Sequence, residues 1–237
     1  MCYNEEVLMP YFLRHYSQLA DKIFVFDNHS TDKTPSIVEA NPKTSRIIYG
    51  DPNKLYDSDL IRMKNEEYKN SRGSADWVII VDIDEFIYHP NLIVLLEDYK
   101  NAGITLPKVS GYDMVGDNYL NSDRQIYDEV KYGVPASMYC KRAVFNPLID
   151  IKYVVGAHKC YPHGKVVESK SPDIKLLHYR FLCKDFFIKS MEKRVIRLSD
   201  ENTKRGWGFI SLSPEDTIAN WASCIYEDQK RNCSKVI

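Results

Sequence analysis

The chain has 237 residues with 32 Lys and Arg against 33 Asp and Glu, a formal net charge of -1, where a nucleic-acid binder would carry a basic excess. Its 44% hydrophobic and 27% charged content is that of one large globular domain rather than a disordered segment. No apolar run reaches the length of a transmembrane segment and no signal peptide opens the chain; the scattered cysteines (Cys2, Cys140, Cys160, Cys183, Cys224, Cys233) lack C-x-x-C spacing, which predicts reduced thiols in a cytoplasmic protein, or one peripheral at a membrane, rather than a zinc site.

Met1-Cys2-Tyr3-Asn4 reads as the tail of a strand. A helix follows from near Glu5, with Val7, Leu8, Tyr11, Phe12, His15 and Leu19 on one face and Pro10 tolerable near its first turn. So abrupt a start predicts either a first strand that lacks a few residues or a domain cut from a longer multidomain chain. Residues 23–26 form a short buried strand ending in the polar turn Asp27-Asn28-His29-Ser30-Thr31-Asp32, which can cap a helix over 34–40. A strand at 47–49 and a helix over about 58–71 come next. This alternation of strand and helix predicts a parallel α/β sheet with right-handed crossovers.

The next stretch, Trp77-Val78-Ile79-Ile80-Val81-Asp82-Ile83-Asp84-Glu85-Phe86, dominates the reading. Its unbroken apolar run predicts a strand buried on both faces. Carboxylates then fall at the strand's C-terminal end, where open α/β sheets place their ligand crevice. Along an extended chain Asp82 and Asp84 point the same way, and two such carboxylates suit a hard divalent cation that also bridges to phosphate.

Beyond Pro90 the pattern loosens. A helix is expected over 92–99, a strand within 103–115, and a polar, substrate-facing loop over 117–133. Short strands follow around 136–145, 153–156 and 175–179. An amphipathic helix over 184–198 carries Phe187, Met191, Val195 and Leu198 on one side. Its Lys189, Lys193, Arg194 and Arg197 read as a solvated face. Ser213 and Pro214 are expected to open the last helix as N-cap and N1.

Several of these pieces, in order, resemble a known family. Asn4-Glu5-Glu6, the turn from Asp27 to Asp32, Asp82-Ile83-Asp84-Glu85-Phe86, Gly156-Ala157-His158 and Leu176-Leu177-His178-Tyr179 look like the family 2 type glycosyltransferases of GT-A fold, in the branch with D-x-D-E-F and a downstream H-Y. The resemblance implies an α/β fold of the GT-A nucleotide-diphospho-sugar transferase type, with a mostly parallel central sheet flanked by helices. It covers about 1–210, with a nucleotide-sugar-binding half (about 1–100) and an acceptor-binding half (about 101–210). Residues 211–237 would be a C-terminal helical extension.

By the same resemblance the donor is a nucleotide-diphospho-sugar, UDP-sugar first, and the acceptor a glycan or other hydroxyl compound. Cys2, Tyr3, Asn4 and Glu6 would border the base and ribose, and Asp27 would accept from the base. Arg62, Lys64 or Asn65 would reach the nucleotide, with Asp82 and Ile83 beside it. Asn28-His29 depart from the family's usual Asp-Gly. Asp84, with Asp82 and His178, would hold Mn2+ or Mg2+, which neutralises the leaving diphosphate. The base of an inverting displacement would be Asp117, with Asp113 and Glu85 as alternatives. A non-catalytic domain of the same fold and a nucleotidyltransferase are the rivals, although the latter would show a Gly-rich basic loop after the first strand.

Overall fold

The computed structural model describes residues 1–120, 123–207 and 217–237. Its elements, in chain order, are α1 (Met9–Leu19), β1 (Ile23–Asp27), α2 (Thr34–Glu39), β2 (Thr44–Ile48), α3 (Asp57–Glu66), β3 (Val78–Ile79), β4 (Glu85–Tyr88), α4 (Leu92–Asn101), β5 (Val109–Val115), α5 (Ile126–Glu129), β6 (Tyr132–Pro135), β7 (Val144–Phe145), β8 (Asp150–Tyr153), β9 (Cys160–His163), β10 (Ile174–Phe181), α6 (Lys184–Arg197), α7 (Asp200–Arg205), α8 (Ile218–Asn232) and β11 (Ser234–Lys235). The expected N-cap Ser213 and Pro214 lie outside the described residues. Thr217 caps α8 instead, its side chain accepting from the Asn220 amide.

The first half follows the expected alternation. β1 and β2 pair in parallel across the α2 crossover, and Cys2 joins them by a single parallel bridge to Asp27. The main sheet does not. Its order is β11-β6-β5-β10-β4, and only β5 and β10 run in parallel, the other pairings being antiparallel. The expectation of a mostly parallel central sheet is therefore corrected to a mixed one. The physical reason lies in the connections. After β5 the chain doubles back through the short α5 into β6, and β11 then adds antiparallel to that edge, so residues 234–235 belong to the sheet.

The stretch from Trp77 is not one strand either. Val78 and Ile79 pair with β7 in a small sheet of their own, and the chain then turns. The Glu85 amide donates to the Asp82 carbonyl at 3.1 Å, and the Glu85 carboxylate accepts from the Asp82 amide at 3.0 Å. This closed turn splits the run. Residues 77–82 are only half-buried, whereas Glu85, Phe86 and Ile87 are buried. The central position belongs to β10, which lies between β5 and β4 and buries its residues from Leu176 to Tyr179 consecutively.

β4 is the sheet's edge, and α1 covers it. The Tyr16 hydroxyl donates to the Glu85 carbonyl and accepts from the Ile87 amide, both at 3.0 Å. His15 Nε2 lies 3.0 Å from the Ile87 carbonyl, and burial pushes its pKa down to about 4. A neutral His15 therefore donates to that oxygen. Two side chains of one amphipathic helix thus satisfy polar groups that an open edge would leave exposed. Phe12, Tyr16 and Phe86 pack around them in the largest core cluster.

Candidate active site

Sheet register builds the site. On β10, His178 stands opposite Glu85 of β4 and Asp113 of β5, and residues directly opposed across a sheet project to the same face. The Asp113 carboxylate lies 2.6 Å from His178 Nδ1. Asp84, in the turn just before β4, places its Oδ2 3.1 Å from His178 Nε2. Gly111 sits beneath this row, and a Cβ there would fall 2.3 Å from the Tyr139 carbonyl carbon. Only glycine lets the Ser137–Tyr139 turn press close enough for the Tyr139 ring to reach His178, centroid to centroid 3.9 Å.

Burial alone would lower the His178 pKa, but Asp84 and Asp113 outweigh it and hold it up at about 9. Burial likewise pushes Asp84 up, and the facing His178 more than offsets this, so its carboxyl stays below the usual range. Asp82 is held still lower. Desolvation opposes this, but Lys64 lies 2.9 Å away and Lys141 3.8 Å. Lys141 also pairs with Glu85 at 2.5 Å, with both side chains almost fully buried.

These groups lie in a cleft of about 660 Å³. Its other wall comes from the end of β10 and from α6, and it is basic: Arg180, Lys193, Arg194 and Arg197. The expectation of a solvated face on α6 is thus corrected for Lys193, Arg194 and Arg197. The Lys193 ammonium donates to the Tyr3 and Asn4 carbonyls and to Glu5. The Arg197 guanidinium lies 3.3 Å from the centre of the Tyr3 ring and donates to Asn28 Oδ1 at 2.7 Å. Arg180 and Arg194 make no ion pair among the described residues. The signal in the sequence was four cations within nine positions of one helix (189–197) in a chain of net charge -1, but helical periodicity could not show that this face closes a cleft.

Of the residues singled out from the sequence, the fold brings Cys2, Tyr3, Lys64, Asp82, Ile83, Asp84, Glu85 and His178 to the cleft. Others lie elsewhere. Asp27 is fully buried with both oxygens used, Oδ1 by the Ser30 amide and hydroxyl and Oδ2 by Arg46 at 2.7 Å. Asn4 and Glu6 accept from backbone amides of the turn after β1. Arg62 is exposed on α3, and Asn65 clips α3 to Tyr153 of β8. Asp113 touches His178 rather than the cleft. Asp117 is exposed and paired with Lys230 of α8. The sequence reading passed over Glu5, a cleft carboxylate that burial pushes up to about 7 despite its Lys193 partner.

Asp84, Glu85 and His178 each offer a ligand atom, all within 4.8 Å of one another. Carboxylate oxygens with one imidazole suit Mn2+ or Mg2+ rather than a thiophilic metal. The Asp113–His178 hydrogen bond is the outer carboxylate that metal-binding histidines commonly carry. Asp84 and His178 therefore fit such an ion. Glu85 is committed to Lys141, and Asp82 to Lys64, so neither is free to bind it directly.

No protein-family profile matches the sequence, and no curated protein matches it significantly. Among solved structures the chain is similar to S. aureus TarS 1–349, with a TM-score of 0.46 and 14% identity over 83% of this chain. The match spans 63% of the TarS chain.

Proposed function

We propose that this chain is a glycosyltransferase that moves a sugar from a nucleotide-diphosphate donor, UDP-sugar first, to a hydroxyl acceptor with the help of Mn2+ or Mg2+. One observation carries the reading: Asp84 and His178, braced by Asp113, face a basic wall across a single cleft. Arg180 and Arg194 of that wall, which make no ion pair among the described residues, supply the positive charge that a diphosphate requires, and arginine suits phosphate oxygens geometrically. Asp84 and His178 would hold the ion. When bound, a divalent cation neutralises charge that builds on the leaving diphosphate without moving a proton. Tyr3, at the same cleft, offers an aromatic ring to a base, and Asp82, fixed by Lys64, offers acceptors to a ribose or to water.

Calorimetry tests this. UDP should bind the wild type with Mn2+ present and far more weakly without it, and Asp84→Ala should remove most of the Mn2+-dependent affinity. A folded Asp84→Ala protein that binds UDP and Mn2+ like the wild type would end the metal assignment.

A further inference from the structure

The proposed transfer needs a group to take the proton of the incoming hydroxyl, and most carboxylates of the cleft are already engaged. Glu5 holds Lys193, Asp82 holds Lys64, Asp84 faces His178 and Glu85 holds Lys141. Asp57, at the start of α3, meets Asn202 through its backbone amide, which donates to Asn202 Oδ1 at 3.1 Å. Asp113 is spent on His178 and Asp117 on Lys230.

We infer that His158 is the proton acceptor for the attacking hydroxyl. Its Nδ1 lies 3.1 Å from the Met138 carbonyl oxygen. A carbonyl only accepts, so Nδ1 carries the hydrogen and Nε2 keeps a lone pair. Nε2 has no hydrogen-bond partner among the described residues.

Location supports the role. His158 lines the main cleft and also a second pocket of about 320 Å³, together with Lys141. It therefore stands where a donor in the cleft would meet an acceptor held in the adjoining pocket, whose Tyr161 is exposed and offers a ring for a sugar face. The Tyr139 ring that packs on His178 also packs on His158, at 5.4 Å, so one aromatic ring links the proposed base to the candidate metal centre.

The backbone is strained to put the imidazole there. Gly156 and Ala157 both adopt positive φ, 81° and 53°, although Ala157 is not glycine and is buried. Such conformations persist where the surroundings enforce them, often at functional sites. Charge also keeps the ring neutral. Partial desolvation and then Lys141 hold its pKa below the ordinary histidine value, against the weaker opposite pull of Glu85 and Asp82.

This inference rests on the proposed donor chemistry. In the step, the acceptor O–H proton passes to His158 Nε2 while the acceptor oxygen bonds to the anomeric carbon. The bond from that carbon to the diphosphate oxygen breaks, and its electron pair leaves with the nucleotide diphosphate.

The test is release of UDP from UDP-glucose, UDP-galactose and UDP-N-acetylglucosamine with Mn2+, water serving as acceptor. His158→Asn keeps a donor for the Met138 carbonyl but has no base. It should bind UDP as the wild type does, release UDP about 100-fold or more slowly, and lose the acid limb of the pH–rate profile. Added imidazole should restore part of the rate to His158→Ala, which a merely structural role would not allow. An unchanged rate and acid limb in His158→Asn would overturn the assignment, as would loss of UDP affinity in step with rate. A wild type that binds UDP yet hydrolyses none of the three donors also overturns it, because an open lone pair has water to activate. A wild type that binds no UDP at all overturns the donor reading, and the base falls with it.

Discussion

Lys141→Met isolates the ion pair that shapes the turn carrying Asp82 and Asp84. Glu85 and Lys141 lie 2.5 Å apart with side chains 2% and 4% exposed, and the second Glu85 oxygen closes the turn on the Asp82 amide. Removing one member of a buried pair strands the other charge and costs about 3–5 kcal/mol. In a chain of this size each kcal/mol moves Tm by about 2–4 °C, so Lys141→Met should lower Tm by roughly 6–20 °C. Glu85→Gln keeps an oxygen for the Asp82 amide but leaves Lys141 only the more distant Asp82, so it should lose less. The double variant Glu85→Gln/Lys141→Met buries no unpaired charge and should recover much of the loss, giving a strong coupling in the cycle. Urea and thermal unfolding of the four proteins measure it. If the two single losses simply add, the pair does not hold the turn. If Glu85→Gln unfolds like the wild type but releases no UDP, Glu85 returns to the reacting groups.

Asp27→Asn should cost about 1.5–3 kcal/mol, the range for a hydrogen bond to a charged group, while leaving UDP affinity unchanged, because Asp27 serves Arg46 and Ser30; urea unfolding and calorimetry report the two. Asp117→Asn should alter neither UDP affinity nor UDP release, since the residue is an exposed partner of Lys230 outside the cleft, and a large loss of rate would restore it as the base. The His178 pKa rises on folding from 6.5 to about 9, so its protonated form stabilises the metal-free protein fully below pH 6.5, and that contribution is lost as pH rises through about 9. Thermal scans of the metal-free protein should show this decline, and Mn2+ affinity should strengthen over the same range as the competing proton leaves; a flat Mn2+ affinity would remove His178 from the metal site.

The sequence by itself located the helices and short strands of the first half, because strand and helix periodicities are local and each carries its own turn or cap. It also singled out the Asp82–Glu85 segment and His178 as candidates, as motifs in order along the chain, and the fold brings them to one cleft. What it could not determine was pairing. Reading 77–86 as one buried strand was reasonable from apolar content alone, but the hydrogen bonds between Asp82 and Glu85 break it, and only the fold shows the faces to be half-covered. The row of Glu85, His178 and Asp113 exists because β4 and β5 flank β10 in that register, although residues 116–173 separate β5 from β10 along the chain. For the same reason Asp27, expected to read the base of the nucleotide, and Asp113 and Asp117, expected as the base of the transfer, are found with Arg46, His178 and Lys230 as partners. The cations of α6 looked solvated because a helix pattern records which residues share a face, and tertiary packing alone decides whether that face meets water or closes a cleft.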